Sequence, residues 1–139
     1  MERWLLDTNA VVSLFTDRNE AQRNEVVSAF DRAIRGEIEL FLHQHVISET
    51  VFTLLNVYRI GNGKVSQIIR DLVDHPNVIL ENDISWSKVL TLWPSALRDF
   101  GDAILAAIAS EKGYAVFTFD KPLQKRLHKL RVACIVAAK

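Results

Sequence analysis

Short apolar runs and helically spaced apolar residues alternate along this chain from end to end, and few folds accept that pattern. A strand followed by a helix, repeated, builds a layered α/β domain. Trp4 to Leu6 is an apolar run ending at Asp7, and Ala10, Val11, Val12, Leu14 and Phe15 follow in a short helix. Glu20 to Arg35 spaces Val26, Val27, Phe30, Ala33 and Ile34 as a helix that Gly36 terminates. Ile38 to Leu42 reads as a strand with imperfect alternation, and Val46 to Tyr58 as a buried helix. After Gly61-Asn62-Gly63, helical spacing resumes from Val65 to Val73 and stops at His75-Pro76. Asn77 to Leu80 predicts a strand, Ile84 to Trp93 a helix closed by Pro94, and Asp102 to Lys112 a helix with Ile104, Leu105 and Ile108 inward. Ala115 to Phe119 is the clearest strand, Leu123, Leu127 and Leu130 mark another helix, and Val132 to Ala137 predicts a last strand. Crossover helices between such strands give a parallel sheet covered on both faces.

A chain of 139 residues is within the range of one domain, so residues 1–139 are expected to share a single core. Burying roughly 70% of the extended surface, it needs no disulfide or structural metal to fold. With 49% hydrophobic and 24% charged residues, and only 5 Gly and 3 Pro, disordered and collagen-like states are excluded. Seventeen basic and seventeen acidic side chains cancel, so any grip on nucleic acid must come from local patches. The lone Cys134 cannot form an intrachain disulfide and is expected to be a buried, inert thiol. No apolar run approaches the roughly 20 residues of a membrane span. The amino terminus meets an acid at Asp7, too early for a signal peptide. A cytoplasmic protein with no membrane partner is the expectation.

Ligand sites in open α/β sheets form beyond the carboxyl ends of the strands. Two predicted strands end in an acid there, Asp7 and Asp120. Asp102 opens the Ala-rich helix, and Glu49 sits one turn into an apolar helix, where a carboxylate needs a partner or water. Asp7, Asp102 and Asp120 each precede a predicted helix and would serve equally well as N-caps. Were the four to converge without matching cations they would repel one another, and a divalent cation is the natural compensation. Oxygen-only ligation selects Mg²⁺ or Mn²⁺ over Zn²⁺. His43-Gln44-His45 lacks a third soft ligand, so a zinc site is rejected.

Lys121, Lys125 and Lys129 recur every four residues with Arg126, His128 and Arg131 nearby, and no acid interrupts residues 121–131. That face suits RNA phosphates, although a solvated helix face explains it as well. Trp86 and Trp93, seven apart, fit core or subunit packing better than base stacking.

Four segments, Leu5-Leu6-Asp7-Thr8-Asn9, Ile47-Ser48-Glu49-Thr50, Asp99-Phe100-Gly101-Asp102-Ala103 and Thr118-Phe119-Asp120, resemble in order and spacing the four motifs of PIN-domain nucleases. The resemblance runs from about Trp4 to the carboxyl terminus. It implies a PIN-like three-layer α/β/α sandwich with a central parallel sheet. It also implies a metal-dependent endoribonuclease that hydrolyses phosphodiesters, with Asp7, Glu49, Asp102 and Asp120 holding one or two Mg²⁺ or Mn²⁺ ions. Asp7 and Asp102 are then the direct ligands, with Glu49 and Asp120 acting directly or through water. Thr8, Asn9 and Thr118 would orient carboxylates or water, and Asp99, in the Asp-Phe-x-Asp-Ala form of part of the family, would assist. Many PIN toxins of the VapC type have this size, so the resemblance further suggests a type II toxin with an RNA substrate, a cognate antitoxin partner and a homodimeric state. An RNA-processing nuclease or a non-cutting RNA- or protein-binding module would keep the same fold. A haloacid-dehalogenase-like phosphatase is disfavoured, because Asp7-Thr8-Asn9 lacks that family's second Asp.

Overall fold

A computed structural model of the chain describes residues 1–135 and contains five parallel strands with helices on both sides, the three-layer α/β/α sandwich. In chain order the elements are β1 (Glu2–Leu6), α1 (Thr8–Phe15), α2 (Glu20–Ile34), β2 (Ile38–His43), α3 (Gln44–Asn56), α4 (Asn62–Val73) and β3 (Val78–Glu81), followed by α5 (Trp86–Leu92), α6 (Phe100–Lys112), β4 (Ala115–Phe117), α7 (Lys121–Lys129) and β5 (Cys134–Ile135). The sheet order is β3-β2-β1-β4-β5, with Trp4 beside Ala115 and Leu6 beside Phe117. The chain therefore winds from β1 through β2 to β3 on one side, then returns to the other side of β1 with β4.

Central position explains the strand sequences. Trp4, Leu5 and Leu6 are all buried, as are Leu40, Phe41 and Leu42, because a parallel strand covered on both faces has no solvent side. The imperfect alternation of β2 has this cause. Helix α6 is buried almost all round, from Gly101 through Ala109, and its alanines let it lie close on the sheet. It ends at Gly113 with φ 74°, a left-handed conformation that glycine adopts without strain; Gly36 does the same after α2.

Several boundaries differ from the sequence expectation. Helix α6 begins at Phe100 with Asp99 as its cap, so Asp102 stands in the first turn and is not the cap. Strand β4 stops at Phe117 because the next amides leave the ladder: Phe119 N donates to Asn9 Oδ1 (3.2 Å) and Asp120 N to Thr118 Oγ1 (3.1 Å). Val132 N is spent on Leu127 O at the end of α7, so β5 starts only at Cys134, and Val136 and Ala137 lie outside the described residues. Helix α5 is shorter than Ile84 to Trp93. Trp86 and Trp93 are not core residues: both are exposed, each packing against Phe100. Cys134 is half-buried, and burial pushes its thiol up. Among the described residues no helix is long and apolar enough to cross a membrane.

Candidate active site

The winding reverses between β1 and β4, and a cleft opens at such a point beyond the carboxyl ends of the strands. Asp7 follows β1 there, its N–H donating to Phe117 O of β4 (2.9 Å). Its side chain also caps α1: Oδ1 accepts from Thr8 N (2.8 Å), while Oδ2 accepts from the Thr118 hydroxyl (2.7 Å). Asp7 is buried, at 8% exposed. Burial pushes its carboxyl up, the hydrogen bonds from Thr118 and Thr8 oppose the rise, and the charges of Glu49 and Asp120 add to it.

Helix α3 brings Glu49 to the same cleft, where Oε1 accepts from the Thr8 hydroxyl (2.9 Å). One turn earlier, His45 Nε2 stands 3.2 Å from that oxygen but without hydrogen-bond geometry. The ring lies against Gly101, where a Cβ would meet Nε2 at 2.4 Å, so only glycine lets α6 pass this close to α3. His43 belongs to neither loop nor cleft. It ends β2 buried, its Nδ1 accepting from His45 N (3.0 Å) and its Nε2 bonding Asp83 O (2.7 Å), and burial pushes its pKa down, which suits the neutral ring.

Helix α6 supplies Asp99 and Asp102. Asp99 Oδ1 accepts from Asp102 N (2.9 Å), and both residues line one cavity. Asp102 has its pKa pushed up to about 7, first by burial and then by the charges of Asp99, Asp7, Asp120 and Glu49. All five acids thus share one field. The cavity itself, about 330 Å³, is lined by Asp7, Glu49, Asp99 and Asp102 but not by Asp120. Asp120 caps α7, accepting from Leu123 N (3.1 Å), and acts on the cluster from beside it.

Thr118 and Asn9 tie these parts together. Thr118 Oγ1 donates to Asp7 and accepts from Asp120 N, Asn9 Nδ2 reaches it at 3.4 Å, and Gln124 Nε2 holds Thr118 O at 2.7 Å. Lys121, Lys125 and Lys129 stand exposed on α7, away from the cavity lining and free of ion pairs among the described residues. The sequence reading passed over Arg18, which lines the cavity together with Tyr58. A signal existed: Arg18 is the only basic residue between Arg3 and Arg23, close after the first acid.

The PIN domain family model matches residues 4–129, and the chain belongs to that family. Its fold is shared with solved structures of low identity. One is the Mycobacterium tuberculosis toxin VapC20, described as cleaving the sarcin-ricin loop, at 16% identity and TM-score 0.64, covering 88% of this chain and 93% of that one. FitAcB of Neisseria gonorrhoeae is 19% identical with TM-score 0.63 over 96% of both chains. The PIN domain endonuclease Utp24 is 13% identical with TM-score 0.55, covering 97% of this chain and 86% of that one. No curated protein matches the sequence significantly.

Proposed function

We propose that this PIN-domain protein is a Mg²⁺- or Mn²⁺-dependent endoribonuclease, acting as the toxin of a toxin–antitoxin pair. The observation that carries the reading is the convergence of Asp7, Glu49, Asp99 and Asp102, from three segments of the chain, on one cavity where, among the described residues, a single arginine is the only cationic side chain. Clustered acids of this kind destabilise a fold unless a cation is their purpose.

The donor set fits a hard divalent ion. It consists of oxygens alone, and among the described residues both oxygens of Asp102, Oδ2 of Asp99 and Oε2 of Glu49 receive no hydrogen bond. No group of three Asp, Glu, His or Cys side chains among the described residues is arranged to hold a metal by itself. Water and substrate phosphate would complete the shell of a Mg²⁺ held by one or two of these carboxylates. Asp7 and Asp102 would ligate directly, Glu49 directly or through water, and Asp120, which stands beside the cavity, through water. When bound, such an ion supplies Lewis-acid polarisation of the scissile phosphate and a readily deprotonated water. Thr118 and Thr8 hold the Asp7 carboxylate in place, Thr8 also holds Glu49, and Asp99 fixes the first turn of α6 on which Asp102 stands. Lys121, Lys125 and Lys129 offer a phosphate-contacting ridge for RNA outside the cavity. A cognate antitoxin belongs to the same proposal, supported by the structural likeness to the toxin VapC20, and a homodimer is proposed with it from the family.

The test is cleavage of single-stranded and structured RNA with Mg²⁺ or Mn²⁺ and with excess chelator. Cutting that needs the ion and is lost in Asp102→Asn is expected; undiminished cutting in EDTA rules out the metal mechanism.

A further inference from the structure

Arg18 lies on the connection between α1 and α2 and is the only cation among the residues lining the acidic cavity. An arginine beside four carboxylates would ordinarily pair with one of them. Here no carboxylate among the described residues pairs with it. Nη1 instead donates to neutral acceptors: Ser13 Oγ at 2.9 Å, Gln22 Oε1 at 3.1 Å and Asn9 O at 3.4 Å. Ser13 is fully buried, and its hydroxyl is itself placed by Asn9 O (2.8 Å) and Gln22 Oε1 (3.2 Å), so the guanidinium hangs from a fixed point and not from a mobile chain.

This tether uses one nitrogen and leaves Nε and Nη2 without a partner among the described residues. The charge is held at the cavity yet not neutralised. A guanidinium in that state has two donors in a planar fork, the geometry that matches two oxygens of a phosphate. Of the other lining residues four are acids that repel an RNA backbone and six carry no charge, so a phosphate entering the cavity meets attraction at Arg18 and at whatever cation the acids hold.

We infer that Arg18 binds a backbone phosphate of the RNA seated in this cavity, positioning the strand against the acidic cluster. The inference rests on the nuclease reading above. Removing Arg18 takes one phosphate contact from the substrate and none from the metal.

The test uses the full chain carrying Asp102→Asn, so that RNA is not cut, with and without Arg18→Gln or Arg18→Lys. Binding of a fluorescent single-stranded RNA is titrated in Mn²⁺ over a range of salt, and Mn²⁺-dependent melting of the Arg18 variants is followed in the otherwise native chain. Expected for Arg18→Gln is a roughly 10- to 100-fold loss of affinity, the worth of one charge-assisted hydrogen-bonded contact. The salt slope should fall by ~0.7, one phosphate on a single strand. The Mn²⁺-induced rise in melting temperature should be undiminished. A purely structural tie between α1 and α2 would lower the melting temperature but leave the slope alone. Arg18→Lys keeps the charge without the fork, so it should keep the slope and lose affinity several-fold, and it decides the matter if Arg18→Gln does not fold. Parental affinity and slope in either variant overturn the inference. If the native chain binds RNA through Arg18 but never cuts it, the nuclease reading fails and the phosphate contact stands; if it binds no RNA, both fail.

Discussion

Replacing Asp102 by Asn is expected to stabilise the metal-free protein at neutral pH while destroying its activity. The carboxyl's rise from 3.8 to about 7 corresponds, at ~1.4 kcal/mol per pKa unit, to a penalty of ~4 kcal/mol for an ionised group wholly shielded from water. Asp102 is only partly buried, and solvent screening brings this nearer ~2 kcal/mol. Against the gain stands the loss of a negative charge in the first turn of α6, worth ~0.3–1 kcal/mol through the helix dipole. The cap survives, because it is Asp99 accepting the backbone amide of residue 102. The net expectation is ~1–2 kcal/mol of added stability, or roughly 3 to 8 °C for a domain of this size.

The sign with pH follows from a folded pKa raised above the unfolded value. Between 3.8 and about 7 the native state binds the extra proton, so the parent loses stability as pH rises through that window. The penalty is complete above it and absent below it. Urea melts of both proteins in chelator, from pH 4 to pH 8, should therefore diverge with rising pH, and Mn²⁺ should raise the parent's midpoint more than the variant's. A variant less stable than the parent at pH 8, or a difference that does not change with pH, would refute the reasoning.

Asp7→Asn also removes a buried carboxylate whose pKa is pushed up, but an amide cannot accept with both ends and the Thr118 hydroxyl loses its acceptor at ~1–3 kcal/mol, so in chelator it should be stabilised less than Asp102→Asn, read from thermal melts. Neutralising Lys125 and Lys129 together should weaken RNA binding and reduce its salt slope by ~1.4 without removing metal-dependent cutting, read by titration at several ionic strengths. Glu81, 5% exposed, would be pushed up by burial, but hydrogen bonds from Tyr114 (2.5 Å), Lys112 (3.0 Å) and Asp83 N (3.0 Å) outweigh this and hold it below the ordinary value. Its contribution is present above the unfolded pKa of 4.5 and lost as pH falls through the folded one, so Glu81→Gln should cost ~3 kcal/mol or more at neutral pH and progressively less as pH falls below 4.5, measured by denaturant melts.

The layered fold was legible because fully buried parallel strands leave unbroken apolar runs, and β1 and β2 carry them. Termini were less legible. Where β4 ends depends on Asn9 capturing the amide of Phe119 and reaching Thr118, which captures that of Asp120, and the Asn9 contacts join segments about 110 residues apart that no local pattern announces. Asp7 and Asp120 could be picked out at strand ends, Asp102 at a helix start and Glu49 one turn into a helix, but Asp120 standing outside the cavity could not, nor could Arg18 inside it, since both depend on how α1, α2 and α7 meet the sheet. The exposed tryptophans illustrate the same limit: a helical stripe states which residues share a face, not whether another element covers it.

Capping and catalytic placement, two separate readings of an aspartate at a helix start, turn out to be one arrangement here. Asp7, Asp99 and Asp120 cap α1, α6 and α7, and each cap spends one carboxylate oxygen on a backbone amide, which fixes the side chain's direction. Three helix N-termini therefore meet around the acids, and their partial positive charges offset some of the mutual repulsion. Asp102 has only the dipole of α6 as compensation: it caps nothing, receives no hydrogen bond on its carboxylate among the described residues, and has its pKa raised to about 7. Asp102 therefore does little for the apo fold while its charge gains from a cation, which is why its removal, and not that of a capping aspartate, separates metal binding from folding.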